Sequence, residues 1–90
     1  MDLDYRKVAG FFKSIAHPIR LAVVHKLLEG KKCVTDIKEL TDVGQSNLSQ
    51  HLTILKAAGA VDWQQAGKTR CYYLVDPILI KIILEKFADK

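Results

Sequence analysis

One stretch of the sequence decides the fold: Gly44-Gln-Ser-Asn-Leu-Ser-Gln-His-Leu-Thr-Ile-Leu-Lys-Ala-Ala-Gly59. Its leucines, Leu48, Leu52 and Leu55, recur at spacings of four and three residues, which places them on one face of a helix. Ser46 is a favourable N-cap, and the glycine that closes the stretch is a typical helix stop. We therefore predict a helix from Ser46 to Ala58 with one apolar face directed into a core.

The opposite face of this helix carries small polar side chains and almost no charge. An ordinary solvated helix face is more often rich in Glu and Lys. Ser, Thr, Asn and Gln instead supply the donors and acceptors that read base edges in the major groove of double-stranded DNA. We therefore expect this face to contact DNA, with a merely solvated face as the alternative. The predicted contacts on the helix are Gln45, Ser46, Asn47, Ser49, Gln50, Thr53 and Lys56.

Beyond the helix the sequence pattern changes to that of two strands. Residues Val61–Gln65 and Thr69–Val75 are rich in β-branched and aromatic side chains, and residues 66–68 form a turn that contains glycine. The tip of this hairpin is basic, which suits contacts with DNA phosphates that give affinity but little sequence information. For any single lysine, a solvated charge is the alternative. The predicted contacts are Lys68, Thr69 and Arg70.

Three helices, an extended connection and a turn are expected before the decisive stretch. They are a first helix over residues 3–16, a second helix from Pro18 to just before Gly30, an extended connection at 31–34, a third helix over 36–40 and a turn at 42–44. Pro18 suits the first turn of a helix, because the amide hydrogen that proline lacks would be unpaired there. Thr35 is a suitable cap for the third helix.

The order of these elements predicts the fold class. Asp76-Pro77 ends the hairpin and starts a last helix, in which Ile78 to Phe87 are apolar on more than one face. Helix, helix, short strand, helix, helix, hairpin, helix is typical of a winged helix-turn-helix, a mainly α fold with a small β-hairpin wing. The helix-turn-helix would span Thr35–Ala58 and the wing Val61–Val75. We expect residues 1–90 to form one such DNA-binding domain.

Composition narrows the function classes. The chain has 14 Lys and Arg against 10 Asp and Glu, a net charge of +4, which suits a polyanionic partner but is also found in ordinary basic domains. No signal peptide and no apolar run of membrane-spanning length is visible, so a cytoplasmic protein without membrane contact is expected. Phosphate-binding glycine loops, nucleophile elbows and paired catalytic carboxylates are not found, so we expect neither an enzyme nor a bound cofactor.

Three segments in register resemble one protein family. Residues 44–59 closely resemble the recognition-helix signature of the ArsR/SmtB family of bacterial repressors. Ile15-Ala-His-Pro-Ile-Arg-Leu21 is similar to the opening of the family's second helix, and Gly67-Lys-Thr-Arg-Cys-Tyr-Tyr-Leu74 is similar to its second wing strand. One departure is His17, where the family commonly has Asp. Because histidine is not a favoured cap, we expect His17 to cap the second helix poorly.

The resemblance implies an assembly and a partner. Members of this family are homodimers that pair through the first and last helices and bind inverted-repeat operators. The apolar last helix agrees with pairing, because one small core cannot cover several of its faces, although packing within one subunit is the alternative. The expected dimer contacts are Phe11, Phe12, Ile80, Ile83, Leu84 and Phe87.

The resemblance also implies release from DNA by a metal, a metalloid or a reactive sulfur or oxidant species. The family's zinc-type site uses Asp and His on the last helix, which here has no histidine. Its arsenic- and lead-type site begins the third helix with Cys-x-Cys, and here only Cys33 of that pair is present. One thiolate is too few for a soft metal, so no metal site is predicted.

The two cysteines provide another route to sensing. In a winged helix the short strand that contains Cys33 joins the sheet beside the second wing strand, which contains Cys71. We therefore expect the two thiols to be neighbours that oxidation or a persulfide can bridge, with loss of DNA affinity. Inert cysteines, a metal- or metalloid-responsive repressor and a winged-helix module for protein interaction without DNA binding stay open as alternatives.

Overall fold

The computed structural model describes residues 1–41 and 45–89, with side chains for 1–38 and 47–89. Within these ranges the elements follow the predicted order. They are α1 (Tyr5–Ile15), α2 (Pro18–Leu27), β1 (Lys32–Cys33), α3 (Val34–Thr41), α4 (Gln45–Ala57), β2 (Val61–Ala66), β3 (Thr69–Leu74) and α5 (Pro77–Glu85). The fold is the expected winged helix-turn-helix, with α3 and α4 as its two helices and β2–β3 as the wing.

Three helix starts differ from the sequence prediction. α1 begins later than expected because Asp4 caps it, its carboxylate accepting from the amides of Arg6 and Lys7 at 3.1 and 3.2 Å. α3 begins at Val34, so Thr35 lies inside the helix and does not cap it. α4 begins at Gln45, so Ser46 also lies inside its helix. The predicted turn at residues 42–44 lies outside the described residues.

The cap of α2 corrects a further expectation. His17 has extended backbone angles, and its Nδ1 accepts a hydrogen bond from the amide of Ile19 at 3.1 Å. An unprotonated imidazole nitrogen is an acceptor, so it does the work of the carboxylate that the family commonly has here. The expectation that His17 caps poorly was therefore wrong.

The three strands form one antiparallel sheet in the order β1-β3-β2. β1 pairs with β3 so that Cys33 lies opposite Cys71, which confirms the strand placement inferred from the fold class. The wing turns at Gly67, whose φ of 63° is a left-handed conformation that suits glycine. The wing strands differ from the predicted ranges by one residue each, β2 being longer and β3 shorter.

The core forms where the helices pack on the sheet. Leu48, Leu52 and Leu55 are at most 1% exposed, which confirms the predicted apolar face of α4. They join residues of every other helix, among them Ile37 of α3. Ile80 of α5 is 1% exposed in the single chain, so its side chain belongs to the subunit's own core. Its side chain therefore has little surface left for the dimer contact predicted for it.

No helix in the described part of the chain is long and apolar enough to cross a membrane.

Candidate nucleic-acid interface and thiol pair

The solvent face of α4 presents the polar row that the sequence predicts. Asn47, Ser49, Gln50 and Thr53 are exposed on the side away from the three buried leucines. The Thr53 hydroxyl donates to the backbone carbonyl of Ser49 at 2.8 Å, which leaves its oxygen free to accept from a partner. The backbone of Gln45 and Ser46 belongs to the first turn of α4, but their side chains lie outside the described residues.

An apolar side chain borders this row. Ile54 is 43% exposed and lines a shallow depression together with Ser49, Gln50 and Thr53. An apolar group at a base-reading surface suits contact with the methyl group of thymine. The sequence signal for it was weak, because a lone apolar residue beside a polar face is also typical of an ordinary helix.

Lys56 is tied to the wing. Its ammonium lies 3.4 Å from the carboxylate of Asp62 on β2, and both side chains are half exposed. The Trp63 amide, which donates to this carboxylate at 2.8 Å, lowers the pKa of Asp62, and the Lys56 charge lowers it further. The ion pair therefore links the end of α4 to the wing, and it offsets part of the charge that Lys56 was expected to offer to DNA.

The wing holds its arginine in place. The guanidinium of Arg70 lies 4.2 Å from the centroid of the Trp63 ring, a cation–π contact that leaves its N–H groups available. At the tip, the side-chain amide nitrogen Nε2 of Gln65 donates a hydrogen bond to the backbone carbonyl of Gly67 at 3.0 Å. Lys68 is exposed beside it, and Thr69 is partly exposed. Sequence reasoning missed the role of Trp63, since a strand tryptophan is usually a core residue.

The two cysteines form a bonded pair between β1 and β3. Their Cα atoms are 3.7 Å apart and their sulfurs are joined in a disulfide. Cys71 is only 2% exposed, whereas Cys33 is partly exposed. Gln64 of β2 lies opposite Cys71 on the other side of β3, and it accepts a hydrogen bond from the Lys31 ammonium at 3.0 Å. The structure thus brings together the predicted thiols and adds a lysine beside them.

A histidine pair joins α2 to α4. The rings of His17 and His51 have centroids 4.6 Å apart. His51 Nδ1 and Arg20 Nε are buried and have no hydrogen-bond partner among the described residues. Burial lowers the pKa of His51, and the neighbouring His17 and Arg20 lower it further. Neutral His51 therefore fits this contact.

Apolar side chains on α1, on α5 and in the turn that follows α5 remain uncovered in the single chain. Phe12 is 48% exposed and Phe87 is 81% exposed, while Phe11, Ile83 and Leu84 pack partly against the core. Further exposed apolar residues on these two helices, which the sequence prediction did not name, are Tyr5, Val8, Ile78 and Ile82. Val8, Phe11 and Phe12 of α1 line one depression together with Leu79 of α5. These exposed residues are referred to below as the apolar surface of α1 and α5.

Metal-binding groups are sparse where side chains are described. Among residues 1–38 and 47–89, no group of three or more His, Cys, Asp or Glu side chains is arranged to hold a metal ion.

Comparisons with known proteins relate this chain to a family of bacterial regulators. Residues 17–62 match the family model described as "Bacterial regulatory protein, arsR family". The chain is 40% identical over 76 residues to the HTH-type transcriptional repressor SmtB of Mycobacterium tuberculosis, an alignment that covers 84% of this chain but only 56% of that protein. It is 38% identical over 85 residues to the cadmium resistance transcriptional regulatory protein CadC of Listeria innocua, covering 93% of this chain and 71% of that protein.

Solved structures agree with this likeness. HlyU from Vibrio cholerae superimposes with a TM-score of 0.89 at 25% identity, covering 99% of this chain and all of that one. A homodimeric winged helix-turn-helix DNA-binding domain from Mycobacterium bovis superimposes with a TM-score of 0.87 at 23% identity, covering 92% of this chain and 80% of that one. The second match supports the fold alone.

Proposed function

Because the chain belongs to the ArsR family of bacterial regulatory proteins, we propose that it is a homodimeric, sequence-specific repressor whose two cysteines control DNA binding. Oxidation of Cys33 and Cys71 to a disulfide would lower its affinity for DNA. The bonded pair across β1 and β3 is the observation that carries the proposal. The names of the relatives, a transcriptional repressor and a transcriptional regulatory protein, support the same role for this chain.

DNA binding is proposed to use α4 and the wing together. The polar row of α4 enters the major groove, where Gln50 and Asn47 suit bidentate bonds to adenine and Ser49 suits either strand. Lys68, Thr69 and Arg70 of the wing contact the backbone of the same site. Two α4 helices about 34 Å apart would reach successive major grooves, which requires an inverted-repeat operator.

The dimer is proposed to form through the apolar surface of α1 and α5. A chain of 90 residues buries a small core, and covering exposed side chains such as Phe12 and Phe87 would add apolar burial. Ile83 and Leu84 of α5 pack partly against the core, so only part of each side chain is available to a partner. Ile80 is not part of it, because the subunit's own core already covers that side chain.

Release follows from where the two sulfurs lie in the fold. Cys33 directly precedes α3, the first helix of the helix-turn-helix, and Cys71 lies in the second strand of the wing. A bond between them fixes the angle of the wing relative to the helix-turn-helix. Both parts contact one DNA site, so an angle that differs from the one DNA requires costs contacts at the wing or in the groove.

Fluorescence anisotropy with DNA from upstream of the protein's own gene tests this function. Reduced protein should bind tightly, and protein oxidised to the intramolecular disulfide should bind at least about tenfold more weakly, a difference of about 1.4 kcal/mol. The double variant Cys33→Ser, Cys71→Ser is the matched control, and its affinity should not change on oxidation. Equal affinity of the two wild-type forms would contradict thiol control, and no binding in either form would contradict the repressor.

A metal-responsive repressor is a second candidate, favoured by the likeness to a cadmium resistance regulator. Adding Cd²⁺ to the reduced protein in the same assay separates the two, because metal release would occur without disulfide formation. The salt dependence of binding distinguishes a DNA-binding repressor from a module that binds only protein. Binding through several phosphates weakens steeply as salt is added, whereas an apolar protein contact does not.

A further inference from the structure

The two sulfurs of the thiol pair lie in unequal surroundings. Cys71 is 2% exposed, within the central strand of the sheet, whereas Cys33 is partly exposed on an edge strand. A small reagent in solution therefore has access to Cys33 and little access to Cys71. The inequality raises the question of which thiol reacts first when the reduced protein meets an oxidant.

Two sources of positive potential surround Cys33. It is the residue directly before the first residue of α3, and the unpaired amides at a helix N-terminus carry partial positive charge. This positive potential favours the thiolate form of Cys33 over the thiol. Asp36, in the first turn of α3, is exposed, so water and salt screen its opposing charge.

The second source is Lys31, which crosses the sheet. Cys33, Cys71 and Gln64 form a row across the three strands, and residues directly opposite one another share a face of a sheet. Lys31 stands two residues before Cys33, and its ammonium reaches the amide oxygen of Gln64 at the far end of the row. This hydrogen bond holds the ammonium on the face of the sheet that carries the two sulfurs.

From this geometry we infer that Cys33 is the attacking thiol and Cys71 the resolving thiol of a switch whose oxidant is a low-molecular-weight disulfide. The inference rests on the proposed thiol control and adds the order of reaction and the class of reagent. Lys31 acts as a positioning residue, because it stabilises the Cys33 thiolate and guides an anionic disulfide toward it.

The reaction runs in two exchange steps. The Cys33 thiolate attacks one sulfur of the disulfide RSSR, forming Cys33–S–S–R and releasing the thiolate RS⁻. Cys71, deprotonated as it reacts, then attacks the Cys33 sulfur of this mixed disulfide. The Cys33–Cys71 bond forms and the second RS⁻ leaves. The two protein thiols lose two electrons in total, RSSR gains them, and the two protons pass to the two thiolates released.

Single variants test the order of reaction with the chromogenic disulfide dithiobis(nitrobenzoate) at neutral pH. Reduced Cys71→Ser protein retains Cys33 and should react at least about tenfold faster than reduced Cys33→Ser protein, which retains the buried thiol. It should also react faster than a blocked free cysteine at the same pH. Equal rates, or a faster reaction of Cys71, would overturn the proposal.

The lysine has a matched control beside it. In the Cys71→Ser background, Lys31→Gln should slow labelling several-fold and Lys31→Arg should restore it. Lys32→Gln should have little effect, because Lys32 lies opposite Tyr72, on the other sheet face, and pairs with Glu29 at 3.1 Å. Equal slowing by both glutamine variants would remove Lys31 from the proposal.

A measurement on the unmutated protein covers the case in which a variant fails to fold. Reduced wild-type protein is treated with less than one equivalent of oxidised glutathione, quenched with acid and mapped by mass spectrometry. The transient adduct should be on Cys33, and an adduct mainly on Cys71 would overturn the order. If Cys33 reacts first but DNA affinity is unchanged by the disulfide, the proposed control of DNA binding fails while the reactivity order stands.

Discussion

Reducing the Cys33–Cys71 bond should destabilise the folded chain by an amount that the loop length sets. The two cysteines are 38 residues apart, and the loop they close contains α3, α4 and β2. Closing a loop of this size in the unfolded chain removes roughly 13 cal/mol/K of entropy, or about 4 kcal/mol at 25 °C. This is a large part of the 5–15 kcal/mol that typically stabilises a small folded protein.

Urea unfolding of the oxidised and reduced protein measures this difference. With a denaturant slope of about 1.5 kcal/mol/M, the midpoint should fall by roughly 2.5 M on reduction. Both forms must be compared at one protein concentration, since a dimer's stability depends on it. The double serine variant should unfold near the reduced form and should not respond to reductant. A midpoint change below about 0.5 M would refute the loop-entropy reasoning.

Four further predictions concern the core, the histidine pair, the dimer and DNA reading. Leu52→Ala should lower the free energy of unfolding by about 3 kcal/mol in urea titrations, because it leaves a cavity beneath α4. The pKa of His51 is lowered in the folded state, so stability should be complete above its unfolded value of 6.5 and fall as the pH drops below it. His51→Gln should flatten that part of a Tm-against-pH curve. Phe87→Glu should give monomers by sedimentation that bind DNA poorly, and a dimer of normal affinity would argue against the α1–α5 interface. In anisotropy, Gln50→Ala should narrow the affinity gap between operator and random DNA, whereas Arg70→Ala should weaken both about equally; no change in either would contradict the docking scheme.

The sequence predicted the elements well because their signals are local. The leucines of α4 repeat at the period of the helix, and Pro18 marks a helix start that few other residues mark as clearly. Capping was harder to predict. Capping preferences describe residue types on average, and they do not reveal that the imidazole of His17 is held with its Nδ1 free to accept. The start of α1 shifted for a related reason, since Asp4 is both a polar surface residue and a cap.

The site was predicted only in part because several of its contacts join distant parts of the chain. The polar row of α4 follows from one helical wheel, and the approach of Cys33 to Cys71 follows from the strand order of the fold class. The contact of Lys31 with Gln64 spans 33 residues and needs the sheet register. Ile80 is a residue whose surroundings the sequence did not predict. α5 is apolar on several faces, so its sequence does not tell which face meets the core.

Both sulfurs belong to the same chain, and the apolar surface of α1 and α5 lies outside the loop that they close. A dimer would then exist with no, one or two oxidised subunits, and each subunit would react with the oxidant independently of its partner. A tight operator complex needs both halves engaged at once, so one oxidised subunit is enough to lose the gain from two-point attachment. With about 30% of the chains oxidised at random, only about half of the dimers retain two reduced subunits that can both bind the operator. The affinity for the operator would therefore fall when only a minority of the chains is oxidised, because one oxidised subunit weakens the whole dimer.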